Sequence, residues 1–486
     1  MSISSALSNA YSGLTSMSRS AETISNNVSN ALTEGYSRQE VGYAARVLAG
    51  NGVGVKIDGI NRSVDVVLTT ARRRADASTA STASFADANA RISTLMGQPG
   101  DIDALATRMS AFADSLRNAQ TAPDSEALQK NILISAKNLA GNFTRISNET
   151  TRIRVDADAN IARQVSIVNS SLKQIEGLNA EIRMFAMTGR SVAALEDQRQ
   201  ILVDKVNAII PIRQTQVNTG EIALYTTGGE ILLNGSAREL GFSPTGMMTP
   251  DMTLASGALS GITLNGHPVA IGEDGAPLEG GSLAANFRIR DTIAPEFHQQ
   301  LDAMARDIVE RFQDPAVDPT LALGAAGIFT DNGAAFNPIN ETGLAARLSV
   351  NTLVDPAQGG ELWRLRDGLG ALVPGYAGDS THLLRLSDSL NALRPPSLNM
   401  GITSPMSAAG FAGEITSFWA SETSRAQEDS AVNRGRQIAL RTQELNATGV
   451  DTDREMQNLL LVEQAYSANA RVISVIDGLM ATLLEM

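Results

Sequence analysis

Apolar residues near the carboxy-terminal end of the chain fall on an unbroken heptad seam. Leu459, Val462, Tyr466, Asn469, Ile473, Ile476, Met480 and Leu483 alternate three and four apart, with Asn469 as the polar member. A second seam, Leu461, Ala465, Ala468, Val472, Val475 and Leu479, runs beside the first. Between Met456 and Leu484 the charged residues are Glu463, Arg471 and Asp477. One apolar stripe buries one face of a helix, whereas two stripes need partners on several sides. The pattern predicts a helix over 452–486, roughly 50 Å long, started by a capping box between Thr452 and Glu455.

The amino-terminal end matches it. Ile3, Leu7, Ala10, Leu14, Met17, Ala21, Ile24 and Val28 recur in the same alternation, and the positions between them are mostly serine and other small polar residues. Serine is a mediocre helix former, so this helix depends on what it packs against. The two ends are expected to form a coiled pair that neighbouring subunits complete. Gly35 is placed to be the left-handed residue that closes the first helix.

Between the ends, Val41 and Tyr43 alternate as a strand does, and glycine-punctuated residues 50–60 predict a turn and a second strand. Helical patterns follow over 63–96 and 102–120, separated by Pro99-Gly100-Asp101. Pro123-Asp124 opens a near-heptad run from Leu128 through Ile182, about 60 residues or roughly 90 Å of rod. Another helix is expected over 191–210. Residues 211–289 change character: glycines separate short alternating runs. Hairpins are expected around Gly228-Gly229, between Ile222-Ala223-Leu224-Tyr225-Thr226 and Ile231-Leu232-Leu233, and around Asn265-Gly266, between Ile262-Thr263-Leu264 and Val269-Ala270-Ile271. Helix resumes near Pro295, residues 314–376 are irregular, and helices return over 382–393 and from about Pro405 to Asn446. The fold class is mainly α: a long-helix coiled bundle formed by the two halves of the chain, with a small inserted β domain. The expected division is a terminal assembly domain (1–62 and 448–486), a helical rod (63–210 and 292–447) and the β insert (211–291).

Composition narrows the function classes. Aromatic residues make up 4% of the 486, which suits long helices packed through small side chains better than a deep pocket. A formal net charge of −13 argues against a nucleic-acid partner. The basic run Arg72-Arg73-Arg74 reads as a solvated helix face. There is no cysteine, hence no disulfide, thiolate metal site or cysteine nucleophile. No conventional secretory signal and no membrane span are expected. His267, His298 and His382 lie in unrelated contexts, and Glu273-Asp274 falls in a glycine-rich turn. No zincin, nucleophile-elbow or phosphate-loop motif occurs, so no catalytic, metal or cofactor site is expected.

Both ends carry a recognisable pattern. Ser25-Asn26-Asn27-Val28-Ser29-Asn30-Ala31 through Gly35-Tyr36-Ser37-Arg38-Gln39 resembles the amino-terminal signature of the axial proteins of the bacterial flagellum, shared by rod, hook and hook-associated 1 proteins. Gly449-Val450-Asp451-Thr452, followed by Glu463-Gln464-Ala465-Tyr466-Ser467-Ala468-Asn469-Ala470-Arg471-Val472, resembles their carboxy-terminal signature. In the interior, Leu195-Glu196-Asp197-Gln198-Arg199 and Gly280-Gly281-Ser282-Leu283 resemble the hook-associated protein 1 family, whereas hook protein is expected to be mostly β between its ends. Ala31-Leu32-Thr33-Glu34 departs from the usual lead into the turn.

The resemblance implies an extracellular structural protein at the hook–filament junction, exported through the flagellar type III system. Its implied partners are its own copies, the hook protein, the second junction protein (hook-associated protein 3) and an export chaperone at the carboxy-terminal helix. The family-motif residues are Asn26, Asn27, Asn30, Gly35, Tyr36, Ser37 and Asn469. The runner-up readings are a hook or distal-rod component, and a secreted adhesin or effector on a helical stalk.

Overall fold

The computed structural model describes residues 3–48, 51–98, 100–218, 220–272, 275–396 and 404–485. The chain is mainly helical, and one helix organises the body. After α1 (Ile3–Ser29), the hairpin strands β1 (Gln39–Leu48) and β2 (Asn51–Arg62), α2 (Val66–Met96) and α3 (Leu105–Ala119) comes α4, Glu126–Met187, unbroken for 62 residues. Its inward positions stay in phase because no proline interrupts them. It serves two separate cores. Ile132, Leu139, Phe143, Ile146 and Ile153 pack into the first; Ile161, Val165, Val168, Leu172 and Ile175 pack into the second.

The second core is closed by α5 (Ala193–Ile209), α6 (Gly281–Arg288) and two small antiparallel sheets. One sheet orders β3 (Ile212–Gln216), β4 (Ile222–Thr226), β5 (Ile231–Asn234) and β6 (Ser236–Ala237). The other orders β7 (Leu240–Gly241), β8 (Ile262–Leu264) and β9 (His267–Val269). Both expected hairpins form. Asn265 and Gly266 take φ of 49° and 81°, the two left-handed residues of the turn that matches strand twist. The turn pulls the return strand forward to His267–Val269, and Ile271 makes only an isolated bridge to Leu278. Because Leu224, Leu232, Leu233 and Ile262 share their core with Ile161–Ile175 of α4, the β region has no interior of its own.

Helix resumes earlier than the proline suggests. From α6 the chain runs through a π-turn, Ile289–Ile293, directly into α7 (Ala294–Gln313). Pro295 has no N–H to give to the preceding turn, and a wider turn just before it absorbs the missing bond. In the first core, Phe112 meets Phe312 and Phe329 edge-on, at 5.7 and 5.3 Å between ring centroids.

Residues 314–376 are irregular yet well packed. They hold β10 (Phe329–Asp331) paired with β11 (Leu348–Val350), and the single-turn helices α8 (Leu344–Arg347) and α9 (Arg364–Asp367). Loop backbone inside a protein must find partners, and here long polar side chains supply them. Asp302 accepts from the N–H groups of Gly343 (2.7 Å) and Ala345 (2.8 Å). Arg311, on α7, donates to the carbonyls of Ser389, Ala392 and Met406. That arginine fastens α10 (Thr381–Asn391) to the start of α11 (Ala408–Thr448).

The basic run departs from expectation. Arg74 is exposed, but Arg72 and Arg73 are buried between helices. Both donate to Asp204 of α5 at 2.7 Å, and Arg72 also reaches Asp76 and Glu444. The run is a cross-brace joining α2, α5 and α11, and guanidinium suits it because one fork serves several carboxylates.

His298 is buried in the first core, 3% exposed, with Thr151 beside Nε2 at 3.3 Å. Burial, and then the charge of Arg154, lower its pKa to about 4. A depressed pKa contributes stability that is complete above the unfolded value and disappears as pH falls through the folded one. Acidification from pH 7 to pH 4 should therefore remove up to about 3 kcal/mol through this residue. Asp302, raised to about 6 by burial, acts oppositely, since its contribution is lost as pH rises through that value. The difference between the parent chain and His298→Gln in urea unfolding isolates the histidine: the variant should lose that part of its acid sensitivity, and parallel pH profiles would contradict the assignment.

Candidate self-assembly site

Helix α12 (Thr452–Glu485) runs antiparallel to α1. Asn27 meets Glu455 near one end of the pair, and Gly13 meets Asn469 two heptads further along each helix. The Gly13 contact explains the polar member of the seam: a Cβ at Gly13 would lie 2.7 Å from Asn469 Oδ1. The asparagine occupies the space the glycine leaves and fixes the register, as a polar seam position does in coiled coils.

The structure brings the predicted seams together unevenly. Ile24 and Ile476 are buried; Ile3, Leu14, Val28, Leu459, Val462, Asn469 and Ile473 are half-buried. Leu7, Tyr466, Met480 and Leu483 are exposed, by 43 to 58%. In the second seam Leu461, Val472, Val475 and Leu479 are 64, 45, 63 and 52% exposed. That face of α12 turns away from α1 and, among the described residues, these four side chains have no covering partner.

The small polar residues of α1 also have a function that periodicity hides. Ser16, Ser20 and Thr23 are buried, and the hairpin β1–β2 packs on α1 as a second layer. Val55 donates its N–H to Ser12 Oγ (3.2 Å), and Ser20 pairs with the Tyr43 hydroxyl. Gly54, at φ 106°, lies so close that a Cβ would sit 2.1 Å from Ser12 Oγ. Serine is there because backbone must approach.

Where the terminal unit meets the body, the signature residues form a polar clasp. Asn27 is fully buried. Its Nδ2 donates to Gln39 O (2.9 Å) and Glu455 Oε2 (3.2 Å), and its Oδ1 accepts from Gln39 N–H (3.0 Å) and the Tyr36 hydroxyl (2.8 Å). Glu455, 1% exposed, takes its second bond from Arg38 Nε at 2.6 Å. Arg38 N–H donates to Thr448 O (3.0 Å), so the hairpin strand also caps the end of α11. Burial, then the charges of Asp197 and Glu455, push the Tyr36 pKa up to about 12, so this hydroxyl stays a donor.

Ser37 accepts from Arg62 (3.0 Å), which also pairs with Asp197 of α5 at 2.7 Å. Gly35 sits against Ile201 of α5, where a Cβ would approach to 2.5 Å. Asn26 and Asn30 act locally: Asn30 donates both its N–H and its Nδ2 to Asn26 O, which ends α1 at Ser29.

Two expectations are corrected here. Gly35 is left-handed, at φ 78°, but it closes the turn after the helix rather than the helix itself, because Asn30 already satisfies the last carbonyls. The capping box at Thr452 and Glu455 does not form. Asp451 is the cap, accepting from the N–H groups of Asp453 (3.0 Å) and Arg454 (3.2 Å). Glu455 turns inward instead, since the half-buried Arg38 and the buried Asn27 offer stronger bonds than a solvated helix end. Of the clasp residues, Arg38 and Gln39 stand in the amino-terminal signature without an assigned role, Glu455 reads as a cap, and Arg62 gives no signal, since its partners Ser37 and Asp197 lie far from it in sequence.

Among the described residues no group of three or more histidine, aspartate or glutamate side chains is arranged to hold a metal ion. His298 and His382 are buried apart from each other, His267 is exposed, and Glu273-Asp274 lies outside the described residues.

Comparison with known proteins ties these features together. Residues 89–315 match the family described as flagellar hook-associated protein FlgK helical domain, and residues 441–486 match flagellar basal body rod FlgEFG protein C-terminal. Flagellar hook-associated protein 1 of Bacillus subtilis is 24% identical over 98% of this chain and 96% of its own length. That of Escherichia coli is 24% identical over the whole of both chains. Among solved structures, the flagellar hook junction protein FlgK from Burkholderia pseudomallei aligns with 55% of this chain and 47% of its own at a TM-score of 0.42 and 19% identity. The second matched segment contains Asp451, Glu455 and all of α12.

Substitution separates clasp from cap. Glu455→Ala removes one of the two carboxylates on Arg38 and leaves the buried Asn27 amide a partner short, and should loosen α12 by about 1–3 kcal/mol, read as faster amide exchange along 455–476. Asp451→Ala should cost about 1 kcal/mol, and Thr452→Ala less than about 0.5 kcal/mol. Equal losses at Thr452 and Glu455 would restore the capping-box reading.

Proposed function

We propose, from a kinship with flagellar hook-associated protein 1 that runs the length of the chain, that this protein is a structural component of the flagellum at the junction of hook and filament. It does no chemistry. The observation that carries the mechanism is the bare second seam of α12. An apolar stripe this long is unstable in water, and a ring or helix of copies covers it. The clasp holds the α1–α12 pair at a set angle to the body while neighbours pack on its open faces. In this reading residues 1–62 with 448–486 are the assembly domain, 63–210 with 292–447 the rod, and 211–291 the inserted β region.

The partners follow from position. Further copies pack laterally, hook protein lies on one side and hook-associated protein 3 on the other. Before assembly an export chaperone shields α12, and delivery through the flagellar type III channel makes the protein extracellular. The match of 441–486 to basal-body rod proteins favours one second reading, a distal-rod or hook component. Labelled protein found along the hook or rod, rather than in a band at the hook tip, would establish it.

Deleting the gene should leave bare hooks and release filament subunits into the medium; normal filaments would overturn the junction role and admit the stalked-adhesin reading. Within the fold, Leu461→Asp with Val475→Asp alters exposed positions and should change monomer stability by less than about 0.5 kcal/mol each, yet abolish complementation of swimming. Ile476→Asp buries a charge and should unfold the pair, at several kcal/mol. If the Leu461/Val475 variant swims normally, the second seam is not the contact between copies.

A further inference from the structure

Helices α1 and α12 and the hairpin β1–β2 form one unit, and among the described residues no helix of the body packs along α1 or α12. The chain passes between this unit and the body through two short segments, residues 63–65 after β2 and residues 449–451 before α12. Each segment ends in an aspartate cap. Asp65 accepts from the N–H groups of Val67 (2.9 Å) and Leu68 (3.0 Å), as Asp451 does at the start of α12. The caps hold α2 and α12 firm up to the segments, so a change of angle falls on three residues in each. Backbone ties the two crossings at one residue: Arg38 N–H donates to Thr448 O at 3.0 Å, and Arg38 O accepts from Ser63 N–H at 2.8 Å. That is the form of a pivot.

Off the pivot, the contacts between unit and body are of unequal kind. On the α11 side Glu34 pairs with Arg441 at 3.2 Å, but their side chains are 83 and 59% exposed, and solvent screens such a pair. On the α5 side the contacts are enclosed. Arg62 donates Nε to Asp197 Oδ1 at 2.7 Å, and Ile201, four residues on and so on the same face of α5, takes Gly35. Asp197 is buried, yet its Oδ2 has no partner, and Glu196 stands 3.8 Å from Arg62. The carboxylate therefore holds the guanidinium while short of its full bonding. Arg62 also keeps a partner inside its own unit, Ser37 Oγ at 3.0 Å, which stays with it if Asp197 lets go.

We infer that the terminal unit is a lever on this pivot, latched at one angle by Arg62 on Asp197 and Gly35 on Ile201, and that opening the latch lets it swing as one piece. The clasp within the unit stays closed during the swing, because Asn27, Tyr36 and Glu455 bond to residues of the unit itself. Hinges between packed bodies work in this way, a few residues absorbing the backbone change. That the latched angle serves the packing of copies rests on the assembly reading above; the hinge does not.

The chain has no cysteine, so introduced cysteine pairs carry spin labels without background. Ser18→Cys with Gln443→Cys spans the joint, and Ser18→Cys with Ser474→Cys lies within the terminal unit; all three positions are exposed. In the full-length chain both pairs should give one narrow distance distribution by double electron–electron resonance. Arg62→Met and Asp197→Leu, which break the latch from opposite sides, should each broaden the first distribution about twofold and leave the second unchanged. Ile201→Ala should broaden the first less. No broadening across the joint in either latch variant, or a parent chain already as broad, overturns the latch. Broadening of both pairs together overturns the lever, since the unit itself has then loosened. A strain carrying Arg62→Met should assemble fewer filaments; wild-type numbers overturn the use of the latched angle in packing copies. Failure of the junction reading is distinguishable, because it would appear as normal filaments in the deletion strain whatever the spin labels show.

Discussion

A helix as rich in serine as α1 has little stability of its own, so its existence depends on the two surfaces that cover it. One is α12 and the other is the β1–β2 hairpin. Every larger feature of the chain serves that meeting. The body must leave from the end of the hairpin and come back, some four hundred residues later, so that Glu455 arrives beside Asn27. α4 carries the path outward, and α2 and α11 run side by side to close it.

The molecule divides its interactions by place. Within the body the two cores are apolar, and their polar members, such as Asp302 and Arg311, fasten irregular backbone. At the joint between body and terminal unit Arg62 pairs with Asp197 and Gly35 seats against Ile201, while Arg38 with Glu455 ties the terminal unit together and Arg72 with Asp204 and Glu444 braces the body behind it. Such a joint has direction without the indifference of a greasy contact, since each guanidinium fork accepts a narrow range of angles.

The helices were legible because their signal is periodic and local. The length of α4, the hairpins at Gly228-Gly229 and Asn265-Gly266, and the apolar phases of α1 and α12 all follow from spacing alone. What escaped was set by partners distant in sequence. Glu455 looked like a cap because its nearest visible neighbour was Thr452, whereas its true partners lie more than four hundred residues away. Arg72 and Arg73 looked solvated because the acids that bury them belong to α5 and α11. Ser16 and Ser20 looked like filler because nothing local shows that a strand backbone lies on them. Residues 314–376 carry no period, and their order comes from single buried side chains that give no pattern at all.

The antiparallel register of α1 and α12 fixes an order of events in folding. The first contact between the ends, Asn27 with Glu455, joins residues 428 apart, a closure no free chain makes readily. Once the body has folded, both residues are already tethered to it, through β1 and through the end of α11, and the effective loop shrinks to a few residues. The pair can then zip outward from the clasp, past Gly13 and Asn469, toward the far ends of α1 and α12. The turns of α1 and α12 farthest from the clasp therefore depend on the turns nearer to it, and the bare face of α12 depends on the joint behind it.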